Sequence, residues 1–163
     1  MTTDNSSLTI RTDDLSAPAV RDLLALHLAQ MQANSPPGLS FALDLSGLQR
    51  ADVTVWTAWR GAALAGVGAL KDLGDGSGEV KSMRTHPDHL RKGVGAALLE
   101  HIIAVAQARG YRRLSLETGA GASFEAALNL YYKRGFVAGE VFADYRPSAF
   151  NQMLHLSLAT AKL

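Results

Sequence analysis

Between Glu79 and Thr118 the chain reads strand, proline, glycine turn, amphipathic helix and strand, a succession that few folds accommodate. Glu79 to Thr85 alternates as a strand, and Pro87, which has no N–H for a ladder, stops it. Leu90-Arg91-Lys92-Gly93-Val94-Gly95-Ala96 follows as a turn. Val94, Ala97, Leu98, Ile102, Val105 and Ala106 then share one helix face, which closes at Arg109-Gly110 in a basic-then-glycine stop. Leu114 to Thr118 is the next strand. Such a unit pairs its strands in parallel through a right-handed crossover, and this sets the glycine turn at a strand's carboxyl end, where open sheets hold ligands.

The remaining segments extend this unit into one layered domain over residues 1–163. Leu8 to Arg11 reads as a strand, and Ser16 is placed to cap a helix carrying Val20, Leu23, Leu24, Leu28 and Met31 at helical spacing. Asn34 to Leu39 breaks the pattern and is expected to border a substrate site, with a weak helical stretch before Arg50. Val53 to Trp59 and Ala63 to Leu70 form a hairpin about Arg60-Gly61, and the odd spacing of Trp56 and Trp59 puts one inward and the other toward solvent or a partner. Gly74 to Gly78 is a turn. Ser123 is placed to cap a helix with Ala127, Leu130 and Tyr131 on one side, and Phe136 to Phe142 and Met153 to Leu158 end the chain as strands. The expected class is mixed α/β: a central, mostly antiparallel sheet with one parallel strand-helix-strand unit, flanked by helices.

The turn carries its own chemistry. Two glycines let backbone N–H groups face a ligand without a Cβ in the way, the helix behind them presents its positive end, and Arg91 and Lys92 add charge, a combination that suits a pyrophosphate. The spacing is neither that of a P-loop nor of a dinucleotide fingerprint, since position 98 is Leu where the latter requires glycine. ATP and NAD are not favoured.

With Met83-Arg84-Thr85-His86-Pro87 before it and Ala97-Leu98-Leu99-Glu100 after it, the turn resembles the acetyl-coenzyme A loop of the GNAT superfamily, Arg/Gln-x-x-Gly-x-Gly/Ala, departing at Leu90, where Arg or Gln is usual. The resemblance extends through Ala127-Leu128-Asn129-Leu130-Tyr131-Tyr132-Lys133-Arg134-Gly135-Phe136, similar to the superfamily's Ala-x-x-Leu-Tyr-x-x-x-Gly-Phe segment. Glu79 to Arg84, Leu114 to Gly119 and Phe142 to Tyr145 look like one bacterial subgroup. The resemblance implies a cytoplasmic N-acetyltransferase that binds acetyl-coenzyme A as cosubstrate through Leu90, Arg91, Lys92, Gly93, Val94, Gly95 and Ala96. Backbone groups of Met83, Arg84 and Thr85 would continue the sheet along the pantetheine arm. It also implies a homodimer as one form of assembly.

An amine of pKa near 10 is only about 0.1% neutral at pH 7, so its attack on a thioester needs a base. Glu79 is the first candidate, because similar enzymes often use an acid on this strand. Glu117, at the carboxyl end of the next strand, is the alternative. Tyr131 matches the residue that protonates the departing thiolate in many relatives, although the Asn often found seven residues before it is replaced by Phe124. Lys133 and Arg134 could reach the cofactor's 3′-phosphate, but basic residues that end a helix also complement its dipole, and that reading is favoured. Asp144, Tyr145 and Asn34 to Leu39 are candidates for the acceptor pocket.

Composition narrows the field. The chain has no Cys, so it has neither disulfide nor thiolate chemistry, and its five histidines show no paired metal spacing. A net charge of +1 with scattered basic residues gives no footprint for nucleic acid. Met1 to Asn5 is polar, and no apolar run approaches the roughly 18 residues of a membrane span. Two other functions fit the same residues: an acyl-coenzyme A sensor without turnover, and transfer to a hydroxyl or from a longer acyl chain.

Overall fold

The computed structural model describes residues 7–158. Met1 to Asn5, read above as polar, lies outside them. Strands β1 (Leu8–Thr12), β2 (Val53–Arg60), β3 (Ala63–Asp72), β4 (Ser77–Thr85), β5 (Arg113–Thr118), β6 (Val137–Ala138) and β7 (Gln152–Ser157) form one sheet in the order β1-β2-β3-β4-β5-β7-β6. Among the described residues only β4 and β5 pair in parallel. The mixed, mostly antiparallel sheet anticipated from the sequence is therefore present.

Helices cover both faces, which is why β3 is buried almost continuously from Leu64 to Leu70 instead of alternating. Helix α3 (Val94–Ala108) and α4 (Glu125–Arg134) lie on one face, with Leu98, Leu99, Ile102 and Tyr131 packed on Trp56, Val80 and Leu116. On the other face α1 (Pro18–Ala33) and α2 (Leu45–Leu48) bury Val20, Leu23 and Leu48 against Val55 and Val67. Trp56 faces α3, while Trp59 packs beside the α1 cluster with Arg11 over its ring at 4.4 Å.

Several local expectations are corrected. Ser16 does not cap α1. Its N–H and hydroxyl bond Asp14, Ala17 sits at the cap, and Pro18, whose missing N–H costs nothing in a first turn, starts the helix. Ser123 lies in a single 3-10 turn (Ala122–Phe124) and does not cap α4. Phe124 takes the cap position because its ring is drawn inward onto Phe150, so apolar packing fixes the entry of that helix. The strand read over Phe136 to Phe142 shrinks to Val137–Ala138. At Gly139 a Cβ would lie 2.7 Å from the His155 ring, and His155 Nε2 bonds the Glu140 carbonyl at 2.8 Å, so the chain peels off the sheet into a loop that buries Phe142.

The site is opened by one irregularity. Strands β4 and β5 pair only over Ser77↔Arg113, Gly78↔Leu114 and Glu79↔Ser115. Beyond this, β4 is bulged: its register against β3 shifts between Val67↔Arg84 and Ala69↔Lys81, and Ser82 takes a φ of 56°. An extra residue bends its strand, and here it accompanies the separation of β4 from β5 that leaves a cleft between them.

Candidate active site

The cleft measures about 650 Å³ and runs from the glycine turn to the end of β5. After a 3-10 turn (Pro87–His89) whose first N–H is capped by His86 Nδ1, the chain reverses through Arg91 at φ 61° and Gly93 at φ 80° into α3. Gly93 has open space around a Cβ, so what it supplies is the left-handed conformation. At Gly95 the need is proximity: a Cβ would touch Leu130 Cδ2 at 3.3 Å and narrow the gap to Thr85. No side chain caps α3, and the first-turn amides of Val94, Gly95 and Ala96 belong to the set that a helix leaves without internal partners. Such amides, together with the helix dipole, are suited to an anion.

Met83, Arg84, Thr85, Leu90, Arg91, Gly93, Val94, Gly95 and Ala96 all border the cleft, whereas Lys92 does not. The Lys92 carbonyl instead accepts from Arg60 Nη2 at 2.9 Å and ties the turn to β2. The Arg84 side chain is committed to α1, donating to His27 Nδ1 at 3.0 Å and to Gln30 Oε1 at 2.7 Å, so that β4 offers backbone there. Burial, aided by the Arg84 charge, lowers the His27 pKa to about 4 and keeps the ring neutral as an acceptor.

At the opposite end two carboxylates meet. Glu79, 2% exposed, accepts from Tyr145 Oη at 2.5 Å and pairs with Lys81 Nζ at 3.3 Å. Lys81 Nζ also donates to Tyr145 Oη at 2.9 Å and to the Phe41 carbonyl at 3.2 Å. Glu117 accepts from Asn151 Nδ2. Burial pushes its carboxyl above the ordinary carboxylate range and nearby Glu79 adds to this, against the opposing pull of the Asn151 bond and Lys81. Tyr131 borders the same cleft with its ring edge-on to Phe136 at 5.7 Å, and burial raises its phenol well above 10, so the hydroxyl stays protonated.

Glu79, Glu117 and Tyr131, far apart in sequence, thus line one cleft with the glycine turn. Asp144 is exposed while its neighbour Tyr145 holds Glu79, and from the Asn34 to Leu39 segment Ser35 and Leu39 reach the cleft. Arg134 is taken by Glu100 of α3, and Lys133 is exposed. Among the described residues no group of three or more His, Asp or Glu side chains could hold a metal. Sequence reasoning missed Lys81, Phe41 and Asn151. Lys81 was within reach of it, since residues two apart on a strand share a face. Phe41 and Asn151 come from irregular segments whose positions carry no periodic signal.

The sequence pattern of the Acetyltransferase (GNAT) family matches residues 20–136. The uncharacterized N-acetyltransferase YedL of Escherichia coli K12 is 52% identical over 150 residues, 92% of this chain and 94% of YedL. The uncharacterized N-acetyltransferase YsnE of Bacillus subtilis 168 is 52% identical over 136 residues, 83% of this chain and 90% of YsnE. A Bacillus subtilis acetyltransferase solved in complex with CoA shares the fold, with a TM-score of 0.71 at 22% identity over 94% of this chain and 100% of that one.

Proposed function

The chain belongs to the GNAT acetyltransferase family and is an acyltransferase, and from that premise we propose that it moves the acetyl group of acetyl-coenzyme A directly onto an amine. The observation that carries this reading is the parting of β4 and β5 after Glu79, which puts two carboxylates and a phenol in one cleft with an uncapped helix start. The CoA found in the Bacillus subtilis neighbour supports the choice of donor.

The residues present fit that donor. The amides of Val94, Gly95 and Ala96 and the Arg91 side chain suit a pyrophosphate, and the bulged edge of β4 over Met83, Arg84 and Thr85 offers backbone groups to an amide-bearing arm. Acetyl-coenzyme A, when bound, supplies the activated acyl carbon. Glu117 is the base, because its raised pKa makes it a better proton acceptor, whereas Glu79 is already committed to Tyr145 and Lys81. A C–N bond forms as the C–S bond breaks. The ammonium gives one proton to Glu117 and so becomes the attacking amine; Tyr131 Oη gives a proton to the departing sulfur and is restored by the second proton that the nitrogen sheds as the C–N bond forms.

Calorimetric titration with acetyl-coenzyme A, for the wild type and for Gly93→Val/Gly95→Val, tests the cradle. Micromolar binding that disappears in the double variant is the expected result, and a wild type that binds none would sink the reading. Thiol release with an amine panel separates turnover from the sensor alternative. Tyr131→Phe should slow that release without weakening acetyl-coenzyme A binding.

A further inference from the structure

Two segments remote in sequence meet at the acceptor end. Residues 39–41 precede α2, and residues 139–151 connect β6 to β7. The Phe41 ring stands edge-on to Tyr145 with centroids 5.3 Å apart, and Asn151 Nδ2 reaches the Leu39 carbonyl at 3.4 Å. Each contact is tied to a carboxylate: Tyr145 to Glu79, and Asn151 to Glu117. Lys81 Nζ completes the bridge by bonding the Phe41 carbonyl, Tyr145 Oη and Glu79 together. The two segments are therefore joined by side chains beside the carboxylates.

We propose that the acceptor is a small free amine with an apolar body, and that this bridge shuts out polypeptide N-termini and protein lysines. The proposal rests on the acyl-transfer reading above and names the substrate class for the same site. A peptide N-terminus trails its chain away from the reacting amine at about 3.3 Å per residue, and a lysine brings its backbone up behind a four-carbon stem, so either needs a wide, open route into the acceptor end. Here that route is crossed by the Phe41–Tyr145 and Asn151–Leu39 contacts. The cleft, about 650 Å³ for donor arm and acceptor together, falls within the roughly 300–1,000 Å³ of small-molecule sites.

The chemistry of the walls narrows the class. Lys81 pairs with Glu79, whereas the hydrogen bond on Glu117 comes from the neutral Asn151 amide, so Glu117 is placed to pair with an entering ammonium ion, and an acceptor bearing its own carboxylate is disfavoured beside these two acids. Beyond Glu117 the wall is apolar: Phe124 and Phe150 stand edge-on at 5.5 Å against Gly119. An amine with an alkyl or aryl body places its charge at the carboxylates and its carbon on these rings.

The test uses the full chain. Acetyl-coenzyme A binding is first confirmed by calorimetry, and thiol release is then followed with 2-phenylethylamine, n-hexylamine, free phenylalanine, an unblocked alanine pentapeptide and an N-acetylated pentapeptide with a central lysine. The two monoamines should exceed both peptides and phenylalanine in kcat/KM by about a hundredfold or more, the scale of a steric or charge mismatch in a shaped pocket. In Phe41→Ala, which removes the ring half of the bridge, peptide turnover should rise toward that of the monoamines. Peptide turnover by the wild type equal to that of the monoamines would overturn the proposal and leave acyl transfer standing. Acetyl-coenzyme A binding with no turnover of either monoamine would overturn it as well, and acyl transfer would then stand only on turnover of a peptide or of phenylalanine. Absence of acetyl-coenzyme A binding would instead remove the underlying reading.

Discussion

The two ends of the cleft are built from different materials. At the glycine turn the groups aimed inward are main-chain amides within a few consecutive residues, Val94 to Ala96, and the side chains matter mainly by being small. At the carboxylate end the groups are side chains, Glu79, Lys81, Glu117, Tyr145 and Asn151, brought together from β4, β5 and the 139–151 loop, with carbonyls of Leu39 and Phe41 from a fourth segment. A backbone cradle recognises what every donor molecule has in common. A side-chain cluster can be rebuilt for each acceptor without disturbing it. The contrast implies that binding of the donor and use of the acceptor are separable, and mutations at one end should leave the other intact.

Glu117→Gln should give the largest effect. Loss of a general base lowers kcat by about 10²–10⁴, and acetyl-coenzyme A affinity measured by calorimetry should not change. The same variant has a stability signature. Because burial raises the folded pKa of Glu117, its protonated form is favoured in the fold, and that contribution is complete below the ordinary carboxyl pKa and lost as pH rises through the folded one. A glutamine in its place has no charge to bury. The variant should therefore melt above the wild type at pH 7, with the gap closing below about pH 4. A melting difference independent of pH would mean that the charge of Glu117 is not what the fold resists.

The separation should break in acid, because both ends share β4. His27 holds the Arg84 side chain in its neutral form, and its pKa is lowered from 6.5 to about 4. A depressed pKa contributes stability that is present above 6.5 and lost as pH falls toward 4, here up to about 3 kcal/mol. Chemical denaturation at pH 7 and pH 4 should show that loss, and His27→Gln, which keeps an acceptor but does not titrate in this range, should flatten it. An unchanged pH slope in the variant would assign acid sensitivity elsewhere. Gly119→Ala comes next. Its Cβ would lie 2.3 Å from Phe150 and 2.7 Å from Phe124, so the rings must shift at a cost of about 1–3 kcal/mol, measurable in urea. Amine KM should respond more than acetyl-coenzyme A affinity.

What could be read from the sequence follows the same division. The glycine turn was legible because its cause is local: a strand, a proline and two glycines at fixed spacing dictate the chain path whatever surrounds them. The mixed sheet followed from the crossover that this unit requires. Tyr131 was found through the family resemblance, Glu79 through its strand and that resemblance together, and Glu117 by its place at a strand end, and the structure sets the three around one cleft. The bulge at Ser82 was not legible, since a φ of 56° at a serine has no signature in residue type. Neither were Phe41 and Asn151, whose partners lie 40 and 34 residues away along the chain. The shortened β6 and the missing Ser123 cap have the same origin, in that tertiary packing of His155 and Phe124 overrode a local preference, whereas the missing Ser16 cap is itself local, since Ser16 bonds Asp14 and Pro18 starts the helix.

Tyr145→Phe sharpens the comparison most finely because it removes one oxygen and keeps the ring on Phe41 and Phe142. Glu79, 2% exposed, then loses its 2.5 Å donor, and leaving a buried carboxylate short of a partner costs about 1–3 kcal/mol. Lys81 Nζ, 3.3 Å from the same carboxylate and released from its bond to the phenol, is placed to close in and recover part of that loss. The net effect should be near 1 kcal/mol, read as a several-fold rise in amine KM with kcat nearly kept, because Glu117 still takes the proton. Acetyl-coenzyme A affinity should be unaltered. If it falls together with the amine KM change, the side-chain cluster and the backbone cradle are coupled through β4, and the two ends of the cleft act as one site.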